Sequence, residues 1–135
     1  MDVSVMQYVK LLDSIGTTIV NVSNDLKENL PIEKCENIEQ LTGHFNKLKS
    51  ALIKFVECGK MASAVVAPDK LKGEHKALVD SFENFLEGTR QLVESISLQS
   101  MNVNVELYHK GLANQNAGVA RTLETVEKIV QKISK

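Results

Sequence analysis

Four successive stretches of this chain place apolar residues at alternating intervals of three and four, the spacing at which one face of an α-helix recurs. The first runs Val5, Tyr8, Leu12, Ile15, Ile19, Val22 and Leu26. The second runs Ile38, Leu41, Phe45, Leu48, Leu52 and Phe55, then continues through Gly59, Ala62 and Val66. Leu71, His75, Leu78, Phe82, Phe85, Thr89, Leu92 and Ile96 make the third. The fourth starts at Val105, Tyr108 and Leu112, falters, and resumes with Val119, Leu123, Val126, Val130 and Ile133. Strands would alternate at every second residue, and no stretch does so for long. Pro31 and Pro68 both fall between the stretches, and Pro68 suits a first helical turn, where the missing N–H goes unused.

The pattern predicts one all-α domain over residues 1–135, with helices at about 3–29, 34–66, 68–98 and 102–134. Helices of matched length, roughly 40–50 Å at 1.5 Å per residue, joined by short connections give an antiparallel up-down-up-down four-helix bundle. The last connection is the least marked, because SLQSMNVNVEL contains neither Gly nor Pro. A continuous third and fourth helix that dimerises is the competing architecture.

Composition narrows the function. A net charge of −1 provides no field for nucleic acid or an anionic membrane, so no nucleic-acid partner is expected. Aromatics make up 4% of residues, with no Trp, which is poor material for stacking bases or sugars. No apolar run approaches the ~20 residues of a membrane span, and Asp2 stands where a secretory signal would be positive. These features predict a soluble, cytoplasmic protein, with a surface or lipid-anchored location open if a signal has been removed.

Reactive constellations are sparse. Glu106 and His109 have the Glu-x-x-His spacing of carboxylate-bridged metal bundles, but that chemistry needs a second such pair, and His44 and His75 follow Leu41 and Lys72 instead. Bundle geometry also puts His44 and His109 towards one end and His75 towards the other. His75 lies within the third stripe and reads as a hydrogen-bonded core residue. Cys35 and Cys58 fall on one expected helix, ~35 Å apart, too far to pair. No Gly-rich phosphate loop, Gly-x-Ser-x-Gly, His-Glu-x-x-His or Cys-x-x-Cys-His occurs. Neither a cofactor, a metal nor catalysis is expected.

Two features remain as candidate sites. HKGLANQNAGVART, residues 109–122, interrupts the fourth stripe with two glycines and the amides of Asn114, Gln115 and Asn116. It is compatible with a helix running through, its amides seeking partners near Thr17 and Thr18, and with Glu106 and His109 it forms a candidate ligand patch. The glycines fall at shared heights, either for close helix approach or for a thinned region that admits an apolar guest. Charge is also segregated: residues 44–76 carry seven Lys against three acids, while residues 1–43 reverse that ratio. Lys60, Lys70, Lys72, Lys76, Lys128 and Lys132 would gather at one end as a candidate docking surface for an acidic partner or anionic lipid.

The stretch APDKLKGEHKALVDSFENFL, residues 67–86, resembles the Pro-x-x-Leu…His opening of helices in small helical surface or lipid-anchored proteins of Gram-positive bacteria. It covers about one helix, no lipobox cysteine accompanies it, and it implies no function. The expectation is a non-enzymatic module for protein–protein interaction or assembly, through a protein partner or self-association. The alternatives are a small-ligand or metal carrier using the polar interruption, and a bundle whose basic end contacts an anionic membrane.

Overall fold

A computed structural model describes residues 3–29 and 31–134. The chain is all-α, with long helices α1 (Val3–Lys27), α2 (Ile38–Ala64), α3 (Lys72–Glu94) and α4 (Val105–Ile133). None of them is long and apolar enough to cross a membrane. Short 3₁₀ turns, Ile32–Lys34 and Asp69–Leu71, precede α2 and α3.

Local chemistry sets the helix ends inside the expected ones. α2 starts at Ile38 rather than 34 because the Asn37 side chain accepts from Gln40 N at 2.9 Å. Gln40 Oε1 in turn accepts from Glu36 N at 2.7 Å, closing a reciprocal cap. Cys35 therefore lies before α2, not on one helix with Cys58, and both thiols are free. Helices α3 and α4 are separate, which removes the continuous-rod alternative. Between them β1 (Ile96–Ser97) pairs antiparallel with β2 (Asn102–Val103), and Met101 turns the connection at φ 50°. Asn104 then caps α4 by accepting from Leu107 N at 3.1 Å.

α3 is the central element. It packs against α2 and α4 and buries ten residues, among them His75, Leu78, Phe82, Phe85, Leu86 and Leu92. Phe55 of α2 meets Phe85 edge-on, with centroids 4.6 Å apart, and Phe82 flanks the pair. The apolar interior forms three clusters joined through Leu11 and Leu26. α1 contributes Tyr8, Leu12, Ile15 and Val22, as its stripe predicts.

Helices α3 and α4 meet backbone against backbone. A methyl group added at Gly88 would stand 2.4 Å from Gln115 N, and one at Gly118 would stand 2.5 Å from Phe85 N. Gly111 faces the Gly88 carbonyl in the same way. Residue numbers fall along α3 as they rise along α4, so these two helices lie antiparallel with side chains of zero size between them. Thr122 and Thr125 continue the small face, their hydroxyls folded back onto Gly118 O and Arg121 O at 2.8 Å.

That contact corrects the expected orientation of α4. Its buried residues are Gly111, Gly118, Thr122, Thr125 and Ile129. The apolar stripe lies one position further on, turned by about 100°: Val119, Val126 and Ile133 are half-buried and still pack against the core clusters, whereas Leu123 and Val130 do not. Leu123 is 61% exposed, Val130 50% and Val105 60%.

Candidate functional site

The outer residues of this α4 stripe, Leu123 and Val130, face a second surplus on α1. Residues Val9, Gly16 and Val20 sit one position beyond the buried stripe of α1, and Val20 is 57% exposed. α1 and α4 do not pack closely along their lengths. Between them runs a groove of about 690 Å³, walled by residues 9–21 and 122–134 and floored by Leu78. Its length is roughly 18 Å at 1.5 Å per residue. Asp13, Thr17, Asn21 and Ser134 supply the polar atoms at its edge. Covering Val9, Val20, Leu123 and Val130, each about half exposed, would recover on the order of 3–6 kcal/mol. The groove can shelter apolar surface, and its lining holds no opposed pair of titratable groups.

The polar interruption of α4 occupies a different face. The helix runs unbroken through residues 109–122. Asn114 Nδ2 donates to Gln91 Oε1 at 2.7 Å, and Gln115 Nε2 donates to Thr89 Oγ1 at 3.1 Å. Both partners belong to α3, not to the Thr17 and Thr18 region of α1. Their place beside Gly88 explains the choice: the backbones approach so closely there that the amides span directly to α3. Asn116, Glu106 and His109 are exposed, and Tyr108 packs edge-on to His109. Among the described residues no group of three His, Cys, Asp or Glu converges in a way that could hold a metal ion.

The expected basic end is partly neutralised by neighbouring acids. Lys132 Nζ lies 2.6 Å from Glu74 Oε1, Lys72 3.1 Å from Asp69 and Lys128 3.6 Å from Glu124. The hydrogen bond from Lys132 holds the Glu74 carboxyl below its ordinary range. Lys60, Lys70 and Lys76 are exposed at that end. Neither cysteine is an activated nucleophile, because burial pushes both thiols up and keeps them protonated at neutral pH.

Two histidine–tyrosine pairs were not foreseen. His75 Nε2 donates to Ala62 O at 2.9 Å, which leaves Nδ1 to accept from the Tyr8 hydroxyl at 2.7 Å. This buried triad ties α1, α2 and α3 together at one end, and it makes His75 the core residue its stripe position suggests. Burial, aided by the nearby Glu74 charge, pushes the Tyr8 phenol up to about 12. At the other end His44 is flanked by Asn29 Nδ2 at 3.1 Å and the Tyr108 hydroxyl at 3.2 Å. All four rings stand on stripe positions or one step from them, at two matching heights, and that coincidence is the signal from which the pairs are recoverable.

Comparison with protein-family models, characterised proteins and solved structures finds no match for this chain.

Proposed function

We propose that this protein is a non-enzymatic interaction module, an up-down-up-down bundle whose first and last helices hold the apolar surface of a partner between them. The observation that carries this reading is the groove between α1 and α4. Soluble monomers seldom leave apolar side chains contiguous at helical spacing without a use for them. A cytoplasmic location accords with two protonated, unpaired thiols.

A carrier built on the polar interruption has less support, since Gln91 and Thr89 already take up the amides of Asn114 and Gln115. Membrane docking through the basic end is weakened by the pairing of Lys72, Lys128 and Lys132. The test is affinity capture from the native organism with the unaltered protein and with Leu123→Glu. The expected result is a partner held by the first and lost by the second. A partner retained by Leu123→Glu but lost on joint Lys60, Lys70 and Lys76→Glu substitution, or on Glu106 and His109→Ala substitution, overturns the proposal.

A further inference from the structure

We infer that the occupant of the groove is a single amphipathic α-helix of a partner protein, about 12–13 residues long and basic along its flanks. The inference rests on the proposed interaction function and specifies its partner.

The shape argues for one helix. Both walls are thirteen-residue stretches, 9–21 on α1 and 122–134 on α4, so the groove has parallel sides of equal length. A helix about 10 Å across beds between two neighbours at packing distances of roughly 8–10 Å. Both walls repeat at three and four residues, which a helix with apolar residues at i, i+3 or i+4 and i+7 matches. Sixteen residues line the groove, fewer than the roughly 20–30 per side of a stable protein–protein interface. A whole second copy seated face to face would need more surface than this.

The charge at the edges selects the sign. Asp13 stands on the α1 wall, exposed. On α4, Glu127 is exposed and lies beside Val126, four residues after Leu123 and three before Val130, which puts it on the outer lip. Lys10 on α1 lies towards the groove's end and does not line it, while Lys128 is bridged to Glu124. An occupant with Lys or Arg on both flanks meets an acid at each lip. A fatty-acid carboxylate or an acidic helix meets like charge at Asp13 and Glu127.

Two synthetic 14-residue peptides test this. They share leucines at i, i+3, i+7 and i+10 and carry either Lys or Glu at the flanking positions, and binding is followed by fluorescence anisotropy. The Lys peptide binds, and the Glu peptide binds about tenfold more weakly at low salt, a preference that shrinks in 0.5 M salt as expected for exposed pairs. Joint substitution of Asp13→Lys and Glu127→Lys reverses the preference, and Leu123→Glu abolishes binding of both peptides while circular dichroism confirms the fold. Equal affinity for the two peptides overturns the basic-helix inference and leaves the groove reading standing. So does binding of dodecylamine, lost in Leu123→Glu, when neither peptide binds. A concentration-dependent dimer in sedimentation that Leu123→Glu dissociates assigns the groove to a second copy and likewise overturns the inference. Peptide binding that Leu123→Glu leaves unchanged overturns both the inference and the proposed function.

Discussion

Helix α4 has two neighbours and treats them in opposite ways. Against α3 it presents glycines and threonines, and the backbones close until no Cβ fits between Gly88 and Gln115. Towards α1 it presents Leu123, Val126, Val130 and Ile133, and the helices stand apart around a groove. A reading by hydrophobicity alone assigns the leucine–valine face to the core. Packing reverses the assignment, because a face of small residues lets two helices approach along their length and gain dispersion contacts throughout. The seven-residue spacing of Gly111 and Gly118, extended by Thr122, Thr125 and Ile129 at buried positions, makes that approach possible. Val119, Val126 and Ile133 of the greasier stripe stay half-buried, and its outer residues, Leu123 and Val130, are left for another surface to cover.

The largest expected effect sharpens the tight side of this comparison. Gly118→Val forces a branched side chain into the Phe85 backbone, 2.5 Å from where its Cβ would stand. It should destabilise the fold by more than about 3 kcal/mol, read as a lower midpoint in urea. A loss under 1 kcal/mol would break the claim of backbone contact.

Next in size is the attachment of α1, one wall of the groove. The Tyr8 phenol is held neutral in the fold, up to about 12, against an ordinary value of 10. A raised acid keeps its proton better folded than unfolded. Its contribution is therefore intact below pH 10 and lost as pH rises from 10 through 12. The loss is on the order of 2–3 kcal/mol, and the steepness due to it disappears in Tyr8→Phe. Denaturation at pH 9 and pH 11.5 on both proteins measures it. Equal pH dependence in both would show that the phenol is not held by the fold.

The smallest effect has the opposite sign. A methyl group at Gly16, on the α1 wall of the groove, meets nothing within 4 Å. Gly16→Ala should gain about 0.5–1 kcal/mol from helix propensity, seen as a rise in melting temperature. A loss there would mean that α1 and α4 close on each other in solution.

The sequence and the structure agree best where hydrophobicity and packing point the same way. Every residue of the α3 stripe, from Leu71 to Ile96, is buried, because α3 has neighbours on most sides and large side chains fill the space between them. The stripe of α1 is equally readable through Val5, Tyr8, Leu12 and Ile15. On α4 the apolar period misleads, and the signal lies instead in the shared heights of the glycines, where Gly88 and Gly111 meet by the close helix approach those heights suggest. The α3–α4 connection falls where the sequence places it, but not its form: Ile96 pairs with Val103 across a turn containing no Gly or Pro, and non-glycine Met101 takes the left-handed conformation. The amides of Asn114 and Gln115 were identifiable as seeking partners, but their partners depended on the rotation of α4. The groove was foreseeable only as the open question posed by clustered glycines, because it arises from two surplus stripes facing each other across helices far apart in sequence.

Adjacent positions on α4 give the most direct test of that rotation. In a protein carrying Cys35→Ser and Cys58→Ala, single Thr122→Cys and Leu123→Cys substitutions report which face is covered. Thr122 is 3% exposed and Leu123 61% exposed. The thiol at 123 should react with a maleimide roughly an order of magnitude or more faster than the thiol at 122, whose modification must wait for opening of the fold. Equal rates, or faster reaction at 122, would mean that α4 buries its leucine–valine face and that no groove lies between it and α1.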